Sequence, residues 1–226
     1  MSRGEELRNQ LALQMEAAEE VDENLAKRLV QVDRSIKHLK SGEITNKRLL
    51  AAFLIQLIED AETHINILEH EISLENQTAV EQYWYGTLFP RWLQQDDLYF
   101  ETWKQELKKQ DLPKDDDLLN RMVQQIHAKN GHTWRSFIAD FSMKTDLIVS
   151  SYYQQKSLCI QLTTLNEQYQ EDKYNKWQET LQYWQIPRGL FLSYNPGKTN
   201  ALNRLVNTAL MNSDSCPDGK YKRFDA

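Results

Sequence analysis

The sequence predicts an all-α protein: an elongated helical bundle with an antiparallel coiled-coil-like hairpin at its start and a very long later helix. Three observations carry that prediction. Seven Gly and five Pro are few for 226 residues. Leu, Gln, Glu and Lys dominate over Val and Ile, which is a helix-forming bias. From His132 to Ile186 the chain runs fifty-five residues without a single Gly or Pro.

That last stretch organises the reading. Trp134, Phe141, Ile148, Gln155, Leu162 and Tyr169 recur every seventh residue, and Ile138, Thr145, Tyr152, Cys159 and Asn166 run beside them four residues on. Two rows at that offset form one stripe on an α-helix, which as a continuous element would be ~80 Å long. Asn166 and Lys173 fray the stripe before Trp177, Leu181 and Trp184 resume on a shifted face. One helix is therefore expected to about Thr164, and beyond it either a bend or break or a straight run to the Trp177–Trp184 end.

The other elements follow in order. Leu11, Ala18, Leu25, Val32 and Leu39 predict a first helix over Glu5 to Leu39, with Asp22 as a charged notch in its seam. Ser41-Gly42 would end it. Ala51, Ile58, Ile65 and Ile72 predict a second helix from Thr45 to Glu75, so residues 1–77 read as a helical hairpin. Residues 78–186 read as aromatic-rich short helices followed by the long helix. Thr78 and Glu81 form a capping box, and eight aromatics crowd Tyr83 to Trp103. Asp115, Asp116 and Asp117 complement the dipole of a helix that ends at Asn130-Gly131. Residues 187–226 read as a strand-like turn at Gly189 to Tyr194, a terminal helix and a loose tail.

Charge and motifs narrow the function. The net charge is −6; from Arg188 onward six basic residues oppose three acidic ones, giving +3 and leaving −9 for residues 1–187. An acidic body argues against coating nucleic acid or anionic lipid with the whole surface. No apolar run is long enough to span a bilayer, and the N-terminus lacks a signal-peptide core, so a cytoplasmic protein without membrane contact is expected. Gly197-Lys198-Thr199 resembles the end of a phosphate-binding loop, but Leu192 stands where the motif needs glycine, and no further parallel strand is expected after it. Neither the five histidines nor the two cysteines fall in a metal-binding or nucleophilic pattern. No metal, cofactor or catalytic residue is expected.

The leading expectation is a non-enzymatic helical adaptor or scaffold subunit, acting through a protein partner or self-association. Trp84, Trp92, Trp103, Trp177 and Trp184 are its candidate contacts, since exposed Trp anchors protein interfaces; buried packing is the plainer account of the aromatics. The alternative is an accessory subunit of a nucleic-acid-handling assembly, with Arg188, Lys198, Arg204, Lys220, Lys222 and Arg223 as candidate contacts. An enzyme with an unrecognised site ranks third.

Overall fold

The computed structural model describes residues 3–37, 47–69, 72–108, 116–153, 155–164, 170–195 and 200–225. In chain order its elements are α1 (Arg3–Val21), α2 (Glu23–Lys37), α3 (Lys47–Leu68), α4 (Ala79–Tyr83), a π-helical turn (Trp84–Leu88), α5 (Phe89–Gln94), α6 (Phe100–Lys108), α7 (Asp116–Ala128), β1 (His132–Trp134), α8 (Phe137–Met143), β2 (Leu147–Ser150), β3 (Leu158–Thr164), α9 (Gln170–Tyr183), β4 (Arg188–Tyr194), α10 (Ala201–Ser215) and β5 (Lys220–Asp225). They form two compact units. One holds residues 1–77 and 89–112, the other residues 78–88 and 113–226.

The all-α expectation is overturned by a five-stranded mixed sheet in the second unit, with strand order β1-β2-β3-β4-β5. The fold is mixed α/β, and the 80 Å helix does not exist: residues 132–186 divide into β1, α8, β2, β3 and α9. Two physical facts hid the strands. Strands covered on both faces need apolar residues on both, so Leu147-Ile148-Val149 and Leu158-Cys159-Ile160 show no period-two alternation. The turns between them use non-glycine residues at positive φ, Lys144 at 51° and Gln155 at 49°, where glycine is the usual marker.

In the helical unit, the seam residues Leu11, Ala18, Leu25, Leu29, Val32 and Ile36 are buried, and α1 packs against both α2 and α3. Asp22 divides the expected first helix in two. Its Oδ1 accepts from the backbone N–H groups of Asn24 (2.9 Å) and Leu25 (3.3 Å), capping α2, while its Oδ2 lies 3.0 Å from Nε2 of buried His64. Arg28 is buried and its guanidinium stacks over the Trp92 ring, donating to the carbonyls of Trp92 (2.6 Å) and Gln95. Those carbonyls close the C-terminal end of α5, where a cation satisfies orphaned acceptors. The turn expected at Ser41-Gly42, and Asp115 of the acidic run, lie outside the described residues.

The sheet unit begins at Thr78, whose capping box with Glu81 forms as expected: the Thr78 N–H donates to Glu81 Oε2 (2.8 Å) and the Glu81 N–H to Thr78 Oγ1 (3.4 Å). β1, β2 and β3 are an antiparallel meander; β3, β4 and β5 are parallel. Residues 187–226 thus supply a fully buried inner strand, a helix and an edge strand.

The two parallel connections lie on opposite faces. Trp177 and Leu181 of α9 crowd Gly189, and Trp177 also meets Phe191 and Tyr221. Leu205, Val206 and Ala209 of α10 pack instead with Leu190 and Leu192, beside Met122 and Ile126 of α7. Successive strand residues face opposite sides, so α9 and α10 cover different faces. Because β3 to β4 to β5 steps one way across the sheet, the two crossovers have opposite hand, and one departs from the right-handed rule.

Gly189 is required by this packing. A Cβ there would come 2.4 Å from Leu181 Cδ1 and 2.8 Å from Trp177 Cη2. Leu181 can rotate away, but the indole is wedged between Phe191 and Tyr221. Gly189→Ala is expected to cost about 1–3 kcal/mol by overpacking, read as a lower urea midpoint with an unchanged denaturant slope.

Candidate functional site: the carboxyl ends of the parallel strands

β3 and β4 are adjacent and parallel, and their chains exit to opposite faces, β3 toward α9 and β4 toward α10. In open α/β sheets such a switch point opens a crevice outside the carboxyl ends of the strands, where ligands bind.

The register lines that crevice with polar side chains. Thr163, Ser193 and Asp225 are direct neighbours across β3, β4 and β5, on the face that α9 covers lower down. One pleat below them lie Gln161 and, extending the pairing of Leu147 with Ile160, Asp146. Further down the face turns apolar, with Ile148, Cys159, Gly189 and Tyr221.

Asp146 orders this end of β3. Its backbone N–H donates to the Ile160 carbonyl (2.9 Å). Its Oδ2 accepts from the Leu162 N–H (2.5 Å), a ladder bond that β2 no longer reaches to supply, and from Gln161 Nε2 (2.6 Å). Gln161 Nε2 also donates to the Leu162 carbonyl (3.3 Å). Ser193 is buried, and its hydroxyl donates to Asp225 Oδ1. From the opposite face, Arg204 of α10 donates to the Asp225 carbonyl (3.3 Å).

The sequence-derived candidates lie elsewhere. Trp84, Trp92, Trp103, Trp177 and Trp184 are all buried, none more than 3% exposed, so their rings are core and present no recognition surface. Arg188 is buried too, held by carbonyls at the end of α10. Lys222 donates to Asn212 Oδ1 (2.9 Å) and Arg223 to Glu171 Oε2 (2.8 Å). Lys220 is exposed at the start of β5, the opposite end of the sheet from Arg204. Lys198 lies outside the described residues. The five described basic residues form no single patch. The strand-like run before Gly197 is indeed β4, but β5 follows it in parallel, contrary to the expectation that no such strand could.

Among the described residues, no three His, Cys, Asp or Glu side chains come together as a metal-binding group. No described helix is long and apolar enough to cross a membrane. Cys159 and Cys216 are unpaired by disulfide and buried. Burial pushes the Cys159 thiol up from 9.0 to about 12, against smaller opposing effects of the Thr145 hydroxyl and Arg188. The native chain is therefore expected to resist thiol reagents at pH 9 and below, where unfolded chain reacts. A raised pKa in the folded state stabilises the fold fully below pH 9, and that contribution is lost as pH rises toward about 12. Thiol labelling with and without denaturant, and unfolding followed over that range, check both statements.

Sequence reasoning missed Asp146, Gln161, Thr163 and Ser193. The available signal was an acidic residue directly before one buried run and hydroxyls closing the next. Comparison with protein-family models, with curated proteins and with solved structures finds no match to this chain, and the site stands on its own geometry.

Proposed function

We propose that the chain is a non-enzymatic adaptor subunit that holds a partner protein at the crevice between the carboxyl ends of β3 and β4. The observation that carries this reading is the exit of these neighbouring parallel strands to opposite faces, above a row of hydrogen-bonding side chains. The row offers amide, hydroxyl and carboxylate groups in fixed positions, which suits recognition of a polar group. The nucleic-acid reading draws less support, because the basic residues meant to carry it are divided between both ends and both faces of the sheet, and Arg188 is buried. A cytoplasmic setting fits two buried thiols left unpaired.

Site-specific photo-crosslinking tests the reading. A photoreactive residue placed at exposed Thr164 or Asn195 in the full chain, expressed in its host, is expected to capture a defined protein. The same residue at exposed Lys220, at the other end of the sheet, is expected to capture none. Equal labelling from both ends, or none from Thr164 and Asn195, would reject the crevice as a docking site.

A further inference from the structure

We propose that a groove between α1 and α3 docks a basic amphipathic helix of a partner protein. The groove lies wholly within the helical unit and does not depend on the crevice at the sheet. It is open, has a volume of about 300 Å³, and is lined by the middle turns of the two helices. Its floor is apolar, with Leu13 from α1 and Ile55 and Ile58 from α3. Leu13 is 62% exposed, although a leucine side chain gains much by leaving water. Ile58 is buried, and Ile55, one turn earlier, is half-buried. The furrow beside two packed helices seats a third, whose apolar side chains enter at helical spacing.

The charge around that floor selects the sign of the occupant. Glu59 and Glu62 line the groove and are exposed, and neither carboxylate has an ion-pair partner among the described residues. Residues 9–22 and 49–69 together contain eight carboxylates and not one Lys or Arg. All of these except Asp22 and Asp60 are exposed. The cations of the two helices, Arg3, Arg8, Lys47 and Arg48, fall in the first two turns, ahead of the groove. In α3 this order reverses what the helix dipole favours, which is carboxylates at the start and cations at the end. The carboxylates beside Ile55 and Ile58 are therefore not placed to stabilise α3 itself. Phosphate backbones and anionic lipid meet repulsion here, and a second copy of the groove would set carboxylate against carboxylate. Lys or Arg flanking an apolar stripe matches both the floor and its rim.

The test uses the isotope-labelled full chain and three synthetic helical peptides. The first carries Leu at i, i+3, i+4 and i+7 with Lys on either side of that stripe. The second has Glu for every Lys, and the third has Ser for every Leu. The Lys–Leu peptide is expected to bind and to shift the methyl signals of Leu13, Ile55 and Ile58, more weakly as salt is raised. The other two peptides are expected to leave those signals in place. Leu13→Gln, at an exposed position, is expected to weaken the Lys–Leu peptide about tenfold, the effect of one partly buried apolar anchor. Glu59→Lys with Glu62→Lys is expected to weaken it by about tenfold as well and to let the Glu–Leu peptide bind. Circular dichroism of each variant checks that the helices are retained.

Equal affinity of the native chain for the Lys–Leu and Glu–Leu peptides would overturn the proposal. So would unchanged binding in the doubly substituted chain, or the absence of methyl shifts at Leu13, Ile55 and Ile58. A native dimer that Leu13→Gln disperses would assign the groove to a second copy and overturn it equally. Photo-crosslinking from Thr164 and Asn195 reads the crevice alone, so failure at one site leaves the other standing.

Discussion

Replacing Arg188 with methionine is expected to cost the sheet unit about 3–5 kcal/mol, the scale for removing one member of a buried hydrogen-bonded charge cluster. The guanidinium is 4% exposed and binds four carbonyls: Cys216 from Nε (2.8 Å), Ser157 from Nη1 (3.3 Å), and Asn212 (3.3 Å) and Ser213 from Nη2. Three of these are at the C-terminal end of α10, where the last carbonyls run out of helical N–H partners; only that of Asn212 also accepts a backbone N–H, from Cys216. Methionine fills much of the space and supplies no donor, so the Ser157, Ser213 and Cys216 carbonyls lose this partner, while the Asn212 carbonyl still accepts from the Cys216 N–H (2.9 Å). Asp218, 3.9 Å from Nε and largely exposed, compensates little. Arg188→Lys should recover only part of the loss, because one ammonium cannot reach acceptors spread around a planar fork. Urea unfolding followed by tryptophan fluorescence measures both variants. A loss under 1 kcal/mol for the methionine variant would refute the capping role.

Trp184→Ala should be as damaging, at about 3–5 kcal/mol for a fully buried indole. Trp184 is 0% exposed, its Nε1 donates to the Ser142 carbonyl (2.7 Å), and its ring meets Tyr183 edge-on at 5.2 Å. The bond ties the end of α9 to α8 across the chain. Trp184→Phe retains most of the volume and isolates the hydrogen bond, for which about 1–2 kcal/mol is expected. If the two variants proved equally unstable, the bond rather than the packing would dominate.

The sequence was legible where local chemistry decides the outcome. The Thr78–Glu81 capping box, the acidic first turn of α7 and the strand at Gly189 to Tyr194 all form where short-range signals placed them. Asp22 stood out as a charged residue in an apolar seam, though its capping of α2 and its contact with His64 depend on geometry that spacing does not carry. The sheet was illegible because β2 and β3 are buried on both faces and turn on Lys144 and Gln155. Seven-residue spacing then mimicked a helix. The site was further from reach. Gln161, Thr163, Ser193 and Asp225 come from three strands and Asp146 from the residue before β2, and only pairing register brings them to one face.

The route of the chain between its units has a consequence for making fragments of this protein. Residues 78–88 belong with the sheet although the segments on either side of them belong to the helical unit. No single cut releases both units whole. A fragment starting at Pro113 loses α4, which packs on β1 and β2 and accepts the Ser157 hydroxyl at the Ala79 carbonyl (2.9 Å). During translation α4 emerges well before any strand it covers, while the helical unit stays incomplete until α6 has been made. The order of synthesis therefore favours early completion of the helical unit while residues 78–88 still wait for their sheet.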